Sequence, residues 1–470
     1  MNRGDIGLPP AAPSRLVDDT VAVVLAGGKG TRLGALTRRE CKPALPFGGA
    51  FRTIDFSLSN CVNSGIHRVG VATQYRDQSL VNHIERVWQS TVRRHRGFIE
   101  PWRADALASR AGYNGTADAV LQNWGKINAL DPERVLILAG DHVYKMDYRT
   151  LLERHASSGA EVTVGCVEVP TTEASQFGVM SIDDAHRIVR FTEKPSDPEP
   201  LPDCPDRVLG SMGIYVFDRD VLAQVLAEDA QDQGSSHDFG RDLIPRLIGK
   251  AKVLAYPFNQ HASVGGGYWR DVGTVAAYWR THMELLAGIP GFDLNDTDWP
   301  VRPGDGHQPP RHASRVKWPA RMDNCLLAER CQFEQATLDH AVLFANATVA
   351  PNTVLENAVV LPNAVIGRDC RLSGVVVDAG VRVPAGTVID TTRGNETRAP
   401  MLITAETNFR EFASGTPRSM LGRRHRRGVA ADRYLTKTQH TTDGVDTTKV
   451  AGTNFHADSN TANSERRASC

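Results

Sequence analysis

The densest chemistry in the chain lies in Leu25-Ala26-Gly27-Gly28-Lys29-Gly30-Thr31-Arg32-Leu33, with Lys42-Pro43 ten residues beyond Arg32. A glycine-rich turn leaving a strand lets backbone N–H groups approach phosphate oxygens closely, and Arg32 and Lys42 add the positive charge a triphosphate requires. The segment predicts a nucleotide-triphosphate cradle built from Leu25, Gly27, Gly28, Gly30 and Thr31. It is not a P-loop, since no G-x-x-x-x-G-K-[ST] is present, and the dinucleotide fingerprint G-x-G-x-x-G fails at Leu33. Asp141 follows the apolar run Val135 to Gly140, which places it at the carboxyl end of a strand, where open α/β sheets bind ligands. A lone Asp there also serves as a helix cap. Asp271 supplies a second carboxylate, and two carboxylates can hold Mg²⁺ with most of its water shell intact.

These residues need a scaffold. Val21 to Leu25, Val69 to Ala72, Val135 to Ala139, Val162 to Val167 and Ile214 to Phe217 are short apolar, β-prone runs, separated by segments such as Ser79 to Val87 that suit amphipathic helices. Strands buried on both faces and alternating with helices predict an α/β fold with a mostly parallel, Rossmann-like sheet over residues 20–297. The Pro- and Gly-rich stretch 298–319 reads as a linker. Beyond it the rhythm becomes six: Leu343, Val349, Leu355 and Leu361 form one register, and Val354, Val360, Ile366 and Leu372 another. Val377, Val383 and Ile389 continue after a one-residue slip. A hexapeptide period with Asn, Pro and Gly at its corners predicts a left-handed parallel β-helix over 320–405. Residues 1–19 and 406–470 read as largely disordered, the latter with a solvated Arg423, Arg424, Arg426 and Arg427 cluster.

The 470 residues suggest roughly two to four domains. Fifty-four basic residues balance 54 acidic ones, so no global field steers the chain toward nucleic acid or an anionic membrane, and any anion site must be local. The N-terminus has neither a signal-peptide core nor a membrane span, which predicts a cytoplasmic protein. Eight scattered cysteines without a C-x-x-C pair read as reduced thiols rather than a zinc site or disulfide framework.

The motifs then take on a pattern. LAGGKGTRL…KPALPFGG is similar to the sugar-nucleotide pyrophosphorylases. FRTIDFSLSNCVNSGI (51–66), GTADAV (115–120), LAGDHVYKMDY (138–148), FGVM (177–180), FTEKP (191–195), SMGIYVF (211–217), SSHDFG (235–240) and WRDVGT (269–274) narrow the resemblance to glucose-1-phosphate adenylyltransferases over roughly residues 20–405. The resemblance implies that Arg32, Lys42 and Asp141 are catalytic, and that Asp141 and Asp271 hold Mg²⁺. It implies that Gln74, Gly115 and Thr116 join the glycine loop in binding ATP. Tyr113, Gly178, Glu193, Lys194, Ser211 and Asp238 would bind glucose 1-phosphate, with Lys194 on its phosphate and Glu193 on sugar hydroxyls. By residue type alone, Glu193-Lys194-Pro195 is equally a surface turn and Tyr113 a packing aromatic.

The implied reaction is attack of glucose 1-phosphate on the α-phosphorus of ATP, giving ADP-glucose, a glucosyl donor for glycogen or a related α-glucan, and pyrophosphate. The attacking phosphate is already an anion, so His142 beside Asp141 is not required as a base and reads as structural. A silent regulatory subunit, an acyl-transferring β-helix, and a pyrophosphorylase for another sugar phosphate or nucleotide are the rivals. The first is disfavoured by the intact Arg32, Lys42, Asp141, Lys194 and Asp271. The second is disfavoured by a β-helix whose only histidine between 326 and 389 is His340. The family is typically homotetrameric and allosteric, with effectors between the two domains; Arg39 keeps a basic charge near its activator site, and Arg39 and Arg52 are the candidate effector residues. The chain departs from the common pattern at Pro46, Asn114 and the segment 98–113.

Overall fold

The computed structural model describes residues 13–95, 97–104, 112–302, 308–313, 321–391 and 399–412. Its main N-terminal elements are α1 (Pro13–Asp18), β1 (Thr20–Leu25), α2 (Ile54–Asn63), β2 (Arg68–Thr73), α3 (Gln78–His83), β3 (Phe98–Arg103), α4 (Thr116–Gln122), β4 (Arg134–Ala139), β5 (His142–Tyr144) and α5 (Tyr148–Ser158). There follow β6 (Val162–Pro170), β7 (Gly178–Ile182), β8 (Ile188–Glu193), β9 (Arg207–Asp218), α6 (Arg219–Ala230), β10 (Val253–Pro257), β11 (Trp269–Asp271) and α7 (Val275–Ala287).

The β-branched run of β1 is buried because two apolar cores sandwich it: Ala22 and Val24 point into one, Val21 and Val23 into the other. This alternation on a strand covered on both faces is what an α/β sheet demands. The nine-stranded sheet runs β8-β7-β9-β4-β1-β2-β3, with β6 bridging β9 and β10. The β4-β1-β2-β3 half is parallel. The long β9 runs antiparallel to β4 and β6. All five apolar runs are strands, and the 79–87 segment is helical, α3 continuing into a π-helix at Ile84–Trp88.

Three stretches differ from expectation. Within the N-terminal segment read as disordered, Pro13–Asp18 is helical and buries Leu16 and Val17 in the core. Six residues are too few to show a helical period in sequence. In the stretch read as a linker, Trp299 donates its Nε1–H to Asn60 Oδ1 at 3.0 Å, Ser59 Oγ accepts from the Arg302 amide at 3.0 Å, and Arg311–Ala313 pairs with Cys325–Leu327. Similarly, Phe409–Phe412 in the expected tail forms a 3₁₀ turn whose phenylalanines pack against the β-helix. The arginine cluster at 423–427 lies outside the described residues.

The β-helix repeats every seventeen residues, not eighteen: Thr337 pairs with Val354, Val354 with Arg371 and Arg371 with Val388. The interior columns are Leu338, Leu355, Leu372 and Ile389; Leu343, Val360 and Val377; and Val349, Ile366 and Val383. One side of each coil is thus five residues long, so the apparent slip recurs in every turn. A strict six therefore misplaces Leu361, which turns outward into a core shared with the catalytic part. The corners take left-handed backbone, where Asn, Asp and Gly are favoured: Asn346, Asn363 and Gly380 form one column, Asn352, Asp369 and Gly386 another. Asn346 Nδ2 donates to Asn363 Oδ1 and Asn352 Nδ2 to Asp369 Oδ1, both at 3.1 Å, tying successive coils.

Candidate active site

Asp141 and Asp271 are 130 residues apart and become neighbours through a two-stranded ribbon, in which β11 pairs antiparallel with β5 and Asp271 lies opposite His142. Lys42 bridges them: Nζ lies 2.7 Å from Asp141 Oδ2 and 2.6 Å from Asp271 Oδ1. Arg32 stands 3.6 Å from Asp271 Oδ2 and His142 Nε2 3.6 Å from Asp141 Oδ1. Burial alone would raise the Asp141 pKa, but the charge of Lys42 and then that of His142 overcome it and hold the carboxyl well below its ordinary range. Burial pulls the Lys42 pKa down, and Asp141 and Asp271 more than reverse it. Burial lowers the His142 pKa by more than the neighbouring Asp141 and Asp271 carboxylates raise it.

The pair opens into a cleft of about 540 Å³, lined also by Leu25, Gly27, Gly28, Gln74, Tyr113, Gly115, Thr116, Gly178, Glu193, Lys194, Ser211 and Asp238. Gln74 fastens the glycine loop to the opposite wall: its Nε2 donates to Gly27 O at 3.2 Å and its Oε1 accepts from the Tyr113 amide at 2.7 Å. Thr116 Oγ1 donates to Asp238 Oδ2 at 3.1 Å and accepts from the Phe239 amide at 3.0 Å. Gly115 is obligatory there, because a Cβ would lie 2.3 Å from His237 O and 2.4 Å from Ser236 O. Lys194 is tied to Glu193 by an ion pair and is half exposed.

Some residues hold positions other than those expected. Gly30 and Thr31 do not line the cleft. Gly30 instead takes left-handed backbone (φ 60°) so that the loop passes close to Lys42, where a Cβ would come within 3.2 Å of Lys42 Cβ. Gly178 is required by packing, since a Cβ would stand 2.4 Å from the Phe191 ring. The Tyr113 hydroxyl is occupied, donating to Trp102 O and accepting from Asn123 Nδ2, both at 2.9 Å. Among the described residues six cysteines are free, and five of those are buried.

Sequence reasoning missed an aromatic wall. Trp269 meets His142 edge-on at 4.9 Å and Phe177 at 5.6 Å, and all three line the cleft, as does Tyr215, 3.3 Å from Ser211 Oγ. Only the position of Trp269 two residues before Asp271 hinted at this. Arg39 and Arg52 lie elsewhere, in a second cavity of about 680 Å³ shared with the β-helix residues Glu329, Phe344 and Asp378.

A sheet with a glycine loop at the end of β1 and a carboxylate at the end of β4 defines a nucleotidyltransferase, and the comparisons agree: the nucleotidyl transferase family matches residues 21–288 and the GlmU-like, C-terminal hexapeptide family residues 312–406. Glucose-1-phosphate adenylyltransferase 2 of Alkalilimnicola ehrlichii is 46% identical, the alignment covering 81% of this chain and 90% of the relative. Glucose-1-phosphate adenylyltransferase of Methylococcus capsulatus is 45% identical over 80% and 89%. That of Paraburkholderia phymatum is 42% identical over 86% and 99%. The chain belongs to the glucose-1-phosphate adenylyltransferase family. Among the described residues no helix is long and apolar enough to cross a membrane.

Proposed function

We infer that the protein transfers AMP from ATP to glucose 1-phosphate. The observation that carries this reading is the convergence in one cleft of the Gly27-Gly28 loop, the Lys42-bridged carboxylates and the Glu193-Lys194 pair. A phosphate oxygen of glucose 1-phosphate bonds to the α-phosphorus as the bond to the β-phosphate bridging oxygen breaks, and pyrophosphate leaves. The nucleophile is already ionised, so the residues need only align it and neutralise developing charge. Arg32 and Lys42 are suited to the leaving pyrophosphate, and Lys194 to the sugar phosphate, with Glu193 and Ser211 facing the sugar.

The donor set fits a hard divalent cation: carboxylate oxygens of Asp141 and Asp271, with a His142 nitrogen, lie within 4.8 Å of one another. Asp141 and Asp271 would hold Mg²⁺, which when bound supplies charge neutralisation to phosphate oxygens. The second cavity supports binding of a small anionic effector by Arg39 and Arg52, and the apolar core shared between α7 and the β-helix gives a mechanical route from one cavity to the other. We propose a cytoplasmic homotetramer, as the family resemblance implies. A panel of sugar 1-phosphates against nucleoside triphosphates, scored by pyrophosphate release, tests the substrate assignment: ATP with glucose 1-phosphate should give the highest kcat/KM, and a higher value for another pair would replace it.

A further inference from the structure

The four carboxylate oxygens of Asp141 and Asp271 already have neighbours. Asp141 Oδ2 and Asp271 Oδ1 share Lys42 Nζ at 2.7 and 2.6 Å, Asp271 Oδ2 faces Arg32 at 3.6 Å, and Asp141 Oδ1 faces His142 at 3.6 Å. The ammonium lies between the two carboxylates. Its backbone is fixed, since Lys42 O accepts from Thr53 Oγ1 at 2.9 Å and from the Leu45 amide at 3.1 Å. Its long, flexible side chain is the part free to move.

We propose that Lys42 is an internal counter-cation that holds the metal site closed until nucleotide arrives. This rests on the assignment of Asp141 and Asp271 as the metal-holding pair. Two carboxylates brought this close in a half-buried site need a positive partner, and Lys42 provides one. A divalent cation arriving alone would have to displace that ammonium from both carboxylates, or share them with it against charge repulsion. A triphosphate changes the balance by offering several anionic oxygens beside the loop of Gly27 to Arg32. Lys42 can then exchange a carboxylate partner for a phosphate partner, and the carboxylates become available. The cation therefore binds with or after nucleotide, which also restrains the empty site from collecting other divalent ions.

The test reads metal binding, not turnover. Mn²⁺ is titrated into nucleotide-free full-length protein and free Mn²⁺ is followed by electron paramagnetic resonance, for the wild type, Lys42→Met, Lys42→Gln and Lys42→Arg. Both neutral variants should bind Mn²⁺ at least about tenfold tighter than the wild type, a difference of about 1.4 kcal/mol. Lys42→Arg should bind as weakly as the wild type, and adding Asp271→Asn to Lys42→Met should abolish the gain. If Lys42→Met folds poorly without metal, Mn²⁺ should raise its melting temperature by more than it raises that of the wild type. Neutral variants that bind Mn²⁺ no tighter than the wild type would overturn the proposal. Because no sugar phosphate or turnover is involved, a different substrate pair would leave this result standing.

Discussion

Asp141→Asn should lower kcat by about a thousandfold or more, equivalent to ~4 kcal/mol of transition-state stabilisation, while leaving the fold intact. The amide keeps the shape at the end of β4 but removes the anion that Lys42 bridges and that a divalent cation would need. Lys42 keeps Asp271 at 2.6 Å as a partner, so the ammonium is not left alone and the protein should still fold, melting below the wild type because the ion pair with Asp141 is gone. The pH dependence follows from the depressed Asp141 pKa. Its contribution to stability is complete above the ordinary unfolded carboxylate value and is lost only as pH falls through the lower folded one. Asp141 thus stays ionised through the neutral range, and an activity limb near pH 6 would belong to another group. Circular dichroism and steady-state kinetics check both halves. Normal Mg²⁺-dependent turnover by a folded Asp141→Asn protein would remove Asp141 from the metal-holding role.

Lys194→Gln should raise KM for glucose 1-phosphate by about 30- to 150-fold, the worth of one charge-assisted contact at ~2–3 kcal/mol, with little change in KM for ATP. The site is built for this residue: Lys194 adopts positive φ (49°), costly for a lysine, and its amide donates to Phe177 O at 2.9 Å, which fixes where the side chain starts. Its ammonium pairs with Glu193 rather than with the carboxylates at Lys42, so the mutation should not disturb the metal-holding pair. Lys194→Arg should restore only part of the loss, since a planar fork does not occupy the place of a compact ammonium. Varying each substrate in turn measures this. An unchanged KM for sugar phosphate with a collapsed kcat would move Lys194 from binding to the chemical step.

What sequence revealed here follows the range of the physical signal. The strands were legible because runs such as Val21 to Leu25 are apolar at every position, as burial on both faces requires, and the glycine loop because three glycines end such a run. The meeting of Asp141 with Asp271 was not readable from spacing, since it depends on β5 and β11 pairing across 130 residues; there the family resemblance supplied what local pattern could not. The same limit hid the aromatic wall, because Trp269, Phe177 and His142 come from three separate segments. In the β-helix the aliphatic period was visible, but the seventeen-residue coil is decided by corner geometry, and a six-residue count sent Leu361 inward when it faces the catalytic part. Gly30 shows a constraint that the motif alone did not reveal: its left-handed backbone and the closeness of Lys42 demand a glycine there.

In AMP transfer the α-phosphoryl group of ATP moves to the sugar phosphate while the β- and γ-phosphates leave together. Incubating the purified protein with Mg²⁺, glucose 1-phosphate and ATP labelled either at the α- or the γ-phosphorus, then separating the products, measures it directly. The α label should appear in ADP-glucose and the γ label in pyrophosphate, in equal amounts and only when glucose 1-phosphate is present. Release of the γ label as inorganic phosphate, or an α label that never reaches a sugar nucleotide, would contradict the account.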